Sequence, residues 1–166
     1  MSATKPKLTP AQRALLTKTF AAMRRHAETF DMRVWMAHED GGHKASRPYC
    51  GTTACLAGHV VLAAGVKPEQ VDGQGDIPVE GLPKRLRSLA KSRPWFIDGI
   101  EVDYVSVADL AAELIGLGGG WEGQDRLFLD GHWPETFSLA YRRATTPKAK
   151  VAAAIARVRH WQTTGR

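Results

Sequence analysis

The chain has 166 residues, 43% of them hydrophobic and 24% charged, which is enough for one compact domain with a core and too little for two. It shows no apolar run of the roughly 18 residues a membrane helix needs, no secretory signal in MSATKPKLTPAQ and only two cysteines, so composition points to a cytoplasmic protein with reduced thiols. The formal net charge is +6, and it is unevenly laid out, with basic ends and an acidic middle.

Residues 1–8 read as a disordered basic tail. Thr9 then supplies an N-cap, Pro10 suits the first helical position, and Gln12 completes a capping box. Leu15, Leu16, Phe20, Met23 and Ala27 follow at three- and four-residue steps, one apolar stripe of a first helix. In FDMRVWM, the residues Phe30, Met32, Val34 and Met36 alternate with Asp31, Arg33 and Trp35, which predicts an extended segment. Residues 41–48 read as a polar loop. The segment YCGTTACLAGHV comes next. Its Gly-Thr-Thr step predicts a helix over residues 53–64, closed by Gly65, with Cys50 at its N-terminus. This helix is almost wholly apolar and should be the buried central one.

Residues 65–82 read as a long acidic loop. Pro83 opens a short basic helix through residue 91. Asp98-Gly99, between Trp95-Phe96-Ile97 and Ile100-Glu101-Val102, predicts a β-hairpin. Ser106, with Asp109 three residues on, starts a helix to Ile115 that the glycines after it stop. A short helix at 124–128, a turn at Asp130-Gly131 and a helix from about Pro134 come next. Thr146 and Pro147 open the last helix, whose apolar stripe is Val151, Ala154, Ile155, Val158 and Trp161. The expected fold is an α-rich α+β domain over residues 9–162, with five or six helices around the central one, a small hairpin and a disordered tail at 163–166.

The charge layout has two readings. Residues 1–27 hold six bases and no acid, and 136–166 hold seven bases and no acid. All 17 acids lie between, against 10 bases, five of them in KRLRSLAKSR. Basic end helices could simply neutralise an acidic body. Alternatively they form a surface for phosphate or an acidic protein. Lys84, Arg85, Arg87, Arg143, Lys150 and Arg157 are the candidate binding residues on the second reading.

FDMRVW, CGTTACLAGH, VADLAAELIGLG and RLFLDGHWP together resemble a group of small bacterial and phage-encoded proteins. That group shares a CGTxxCxAG core followed by an LF…WP element. The resemblance covers about 60 residues, within 30–64 and 107–134. It implies an accessory gene of phage or mobile-element type and carries no activity with it. In that group the position of His59 is often tryptophan, which argues against catalysis by His59.

The cysteine segment admits three chemistries. Cys50 at a helix start could be a thiolate nucleophile, with His132, His59 or His43 as its base. The bland alternative is a small polarizable side chain filling a tight helix start. Cys50, Cys55, His59 and His43 could instead hold a zinc ion, since Cys55 and His59 share a helix face. A Cys50–Cys55 disulfide needs Cys50 outside the helix. The GLGGG run lacks the strand and the GK[ST] of a phosphate loop, and Trp35, Trp95, Trp121 and Trp133 read as core or rim.

The sequence therefore predicts a non-enzymatic binding protein that acts through a basic surface on nucleic acid or an acidic protein partner. It needs neither a cofactor nor a membrane. A thiol-dependent enzyme using Cys50 is the alternative, and a zinc-stabilised module the second alternative.

Overall fold

In a computed structural model, the protein is described over residues 6–32, 36–38, 52–72, 75–91, 95–97, 100–117 and 127–165. Helix α1 (Pro10–Arg25) starts as its sequence predicts. The Thr9 N–H donates to Gln12 Oε1 at 2.8 Å, and the Gln12 N–H donates to Thr9 Oγ1 at 3.2 Å. Two of the donors left over at a helix start are thereby satisfied. Leu16, Phe20 and Met23 are buried along its inner side. Leu8, assigned by sequence to a disordered tail, is buried too. Its side chain belongs to the core, so order begins before the helix does.

A 3-10 turn (Ala27–Thr29) follows, and Phe30 forms a parallel bridge with Ala54. Of the predicted extended segment, the described part includes Met36, where strand β1 (Met36–His38) starts, while residues 33–35 lie outside the described residues. The polar loop at 41–48, with His43, lies outside the described residues, as does Cys50.

Strand β2 (Thr52–Ala54) corrects the expected helix start. The β-branched threonines favour extended backbone. They pair antiparallel with β1, Met36 opposite Ala54 and His38 opposite Thr52. Helix α2 (Leu56–Ala64) begins after them, with Cys55 as its extended N-cap residue. The helix start therefore belongs to Cys55, and Cys50 lies several residues upstream of it. Gly65 closes α2 in the left-handed region at φ 105°. The Gly65 N–H donates to Leu62 O and the Val66 N–H to Val61 O, the paired bonds of a Schellman motif.

The described part of residues 65–82 is more regular than a loop. It holds 3-10 turns at Pro68–Gln70 and Val79–Gly81, with strand β3 (Asp76–Pro78) between them. β3 pairs antiparallel with a strand far along the chain, β6 (Tyr104–Ser106), placing buried Ile77 opposite buried Val105. The acids of this segment have structural work. Asp72 Oδ1 accepts the Asp76 N–H at 2.8 Å. The Asp76 carboxyl is held above its ordinary value by burial, and then by the charges of Asp72 and Asp109.

Helix α3 (Lys84–Lys91) follows Pro83 as expected. Strands β4 (Trp95–Ile97) and β5 (Ile100–Val102) make the expected hairpin pairing, with Ile97 opposite Ile100. Helix α4 (Val107–Ile115) is capped by the Ser106 hydroxyl and ends at left-handed Gly116. A 3-10 turn (Asp130–His132) occupies the expected turn at Asp130-Gly131. Most of the predicted short helix at 124–128 lies outside the described residues. Helices α5 (Glu135–Arg143) and α6 (Pro147–Thr164) complete the chain. Thr163 and Thr164 belong to α6, so helix replaces the predicted tail there.

The architecture is a helix-rich compact α+β fold with six α-helices and three two-stranded antiparallel sheets among the described residues. Every residue from Leu56 to Ala63 is buried, which makes α2 the expected central helix. It packs chiefly against α4 and α1, while α6 packs on α5, on α1 and on the Ala27–Thr29 turn. The first and last helices are therefore neighbours. No helix among the described residues is long and apolar enough to cross a membrane.

Candidate binding surface

The cysteine-histidine segment lies in the interior where it is described. Cys55 is 1% exposed and His59 is fully buried. They stand one turn apart, and the His59 N–H donates to Cys55 O at 3.0 Å. Cys55 occupies the helix-start position at which a thiolate is usually favoured. Burial nevertheless pushes its thiol up to about 11, overriding the backbone N–H groups of Gly58 and Ala57 that favour the thiolate. The thiol is a neutral core side chain. His59 is the converse case. Burial, and then the charge of His26, lowers it to about 4. Its ring sits 5.8 Å from that of Phe30, beside Tyr141 and Trp133 in an aromatic cluster. The Tyr141 hydroxyl accepts the Met32 N–H at 3.0 Å, and Trp133 Nε1 donates to Leu127 O. This histidine reads as a neutral core residue.

His132 is exposed on its 3-10 turn, far in environment from the buried Cys55. Among the described residues no three His, Cys, Asp or Glu side chains form a group suited to a metal. Cys50 and His43, the other half of the predicted ligand set, lie outside those residues.

The predicted cationic residues divide into two sets. Lys84, Arg85 and Arg143 are exposed. Arg87 is tied to its own segment: Nη1 lies 3.3 Å from the Glu80 carboxylate, and Nη2 donates to the carbonyls of Glu80 and Leu82. Lys150 is half-buried, its Nζ 5.7 Å from the centre of the Tyr141 ring. Arg157 is only 1% exposed, so its inclusion among surface binding residues is corrected. α5 packs on α6, with its Tyr141 ring beneath Lys150 and its Phe137 ring 5.1 Å from that of His160. Lys18 is also spent structurally, donating to Ala63 O at 2.6 Å at the C-terminal end of α2.

The outward face of α6 carries different cations. Lys148 and Arg159 are exposed there, and exposed Arg24 approaches from the end of α1. The three rim a groove of about 620 Å³ between the two helices. Ala27, Val151 and Ile155 are buried in its floor, and no carboxylate lines it among the described residues. None of the three cationic side chains has a hydrogen-bond or ion-pair partner among the described residues.

Sequence reasoning counted Lys148 and Arg159 in the charge of the last segment but did not single them out. The signal was present: Lys148, Ala152, Ala156 and Arg159 recur at steps of four, four and three, one helix face with alanine where a solvated face usually carries charge.

A larger groove of about 960 Å³ runs past α1, the end of α2, α3 and α4. Lys18, Arg85 and Glu113 all line it, so its charge is mixed. No family model, curated protein or solved structure matches this chain.

Proposed function

We propose that this chain is a non-enzymatic binding protein that engages an anionic macromolecule, an acidic protein or a nucleic acid, through the basic face built by α1 and α6. An accessory role of phage or mobile-element type, implied by the resemblance of its cysteine core, is part of the same proposal. The observation that carries it is the convergence of Arg24, Lys148 and Arg159, far apart in sequence, around one groove that no carboxylate lines among the described residues. Cations without partners among the described residues add little to the stability of the fold and repel one another. Their retention together on one face is explained by a partner that supplies the negative charge. The neutral, buried Cys55 and the neutral, buried His59 fit a scaffold better than a reaction centre.

The experiment is a binding titration of the purified protein against acidic peptides, single-stranded DNA and duplex DNA at 50 and 300 mM salt. At least one of these should bind at 50 mM salt and weaken about tenfold or more at 300 mM, as a few charge contacts require. Binding that is absent at low salt, or flat with salt, would remove the proposal.

A further inference from the structure

The groove itself narrows the choice of partner. Along α6, Lys148, Val151, Ala152, Ile155, Ala156 and Arg159 follow at steps of three, one, three, one and three, which keeps them on one face. Val151 and Ile155 form the inner edge of that face, buried at 2% and 3% exposure. Ala152 and Ala156 form its outer edge and are exposed. The face is therefore an apolar seam with a cation at each end, about 16 Å apart at 1.5 Å rise per residue. Arg24 stands on the opposite wall, with buried Ala27 beside it in the floor.

Alanine on the outer edge removes the side-chain bulk that would keep a second helix away, since the distance between packed helices is set by the side chains at the contact. Positive charge at both ends and on the far wall, with no carboxylate between them among the described residues, selects a negatively charged occupant. Nucleic acid fits this geometry poorly. The floor offers aliphatic groups where phosphates need N–H or hydroxyl donors. Three cations are also few beside the six to ten phosphate contacts, roughly, of a strongly salt-dependent DNA binder.

Resting on the reading of α1 and α6 as the binding face, we propose that this groove docks an acidic amphipathic helix of a protein partner. The helix is about three turns long. Apolar side chains at i, i+3 or i+4, and i+7 lie on Val151, Ile155 and the two alanines. Its Asp or Glu residues at the ends and along one flank meet Lys148, Arg159 and Arg24. This is recognition of a helix in a groove, with charge setting its orientation.

The test uses the full chain and a labelled 15-residue peptide with leucines at those spacings and flanking glutamates. A second peptide keeps every glutamate and replaces the leucines by serine, and a 20-nucleotide single strand serves as the polyanion control. The leucine peptide should bind at least tenfold more tightly than the serine peptide. Ala152→Trp, which fills the seam without changing charge, should cost it tenfold or more. Arg24→Glu with Lys148→Glu and Arg159→Glu should abolish that binding, and these three exposed substitutions provide the second variant if Ala152→Trp does not fold.

Equal binding of the two peptides would overturn the helix-docking proposal while leaving a charge-driven surface in place. So would a single strand that binds and is lost in Ala152→Trp, because nucleic acid would then hold the groove. Failure of both peptides and of the single strand would sink this proposal and the binding-face reading together.

Discussion

Burial decides the chemistry of the two most reactive side chains described. For His59 the unfolded chain takes up a proton near 6.5, whereas the folded chain resists it until about 4. The lowered value contributes stability that is complete above pH 6.5 and lost as pH falls towards 4, on the order of 3 kcal/mol. Urea unfolding at pH 7 and pH 4 should show that loss, and His59→Leu should retain a smaller fraction of it. An unchanged pH dependence in the variant would place the acid sensitivity elsewhere. Cys55 runs the other way. Its value rises from 9.0 to about 11, so the neutral thiol favours the fold below pH 9 and that advantage is lost between pH 9 and 11. In a Cys50→Ser background, Cys55 should resist iodoacetamide at pH 8 under native conditions and react readily in urea. Rapid native alkylation would contradict its burial.

Helix ends are the elements most legible in the sequence, because a cap is a local event. Thr9 with Gln12, Ser106 with Asp109, and Thr146 with Pro147 each mark a start the structure keeps. Strand partners were harder to see. Nothing near Ile77 announces Val105, since their pairing spans the whole of α3 and the β4–β5 hairpin. Thr52 and Thr53 looked like the lead-in to a helix because their partner strand is equally short and lies across the 41–48 region. The binding face was half legible: its charge showed in the sequence, its direction did not. α6 is buried over more than half its circumference, including Ala153 and Arg157, so the polar-looking side of its helical wheel turned inward.

The C-terminal glycines of α2 and α4 separate two physical effects. At Gly65 a Cβ would meet nothing within 4 Å, so Gly65→Ala costs only the left-handed backbone, about 1 kcal/mol. At Gly116, φ 72°, a Cβ would also lie 2.5 Å from Nε2 of Gln12, the residue that closes the α1 capping box. Gly116→Ala should therefore cost more, by up to roughly another 1 kcal/mol of lost cap. Denaturant titration of both variants, and of Gly116→Ala with Gln12→Ala, checks this. If the second substitution costs as much in Gly116→Ala as in the parent, the two sites are independent.

At the scale of the molecule the positive charge is sorted by employment. Lys18, Arg87, Lys150 and Arg157 are engaged within the fold or held inside it. Arg24, Lys148 and Arg159 are turned outward around an apolar floor. Lys84 and Arg85 are exposed as well, but on α3. Reversing Lys84 and Arg85 to glutamate should therefore weaken binding of an acidic partner only through the long-range field, by a few-fold at low salt and little at 150 mM. Reversing Arg24, Lys148 and Arg159 should weaken it at both. Titrations of the two variants at both salt concentrations distinguish them, and equal losses would make the whole basic surface, rather than the groove, the determinant.

The packing of α6 on α1 and on the Ala27–Thr29 turn ties a late-synthesised segment to one made well over a hundred residues earlier. A growing polypeptide that has emerged only as far as residue 143 has no helix to cover that side of its N-terminal region. Completion of the core must wait until residues 147–164 have emerged and packed, and in the interval the exposed apolar surface is open to chaperones.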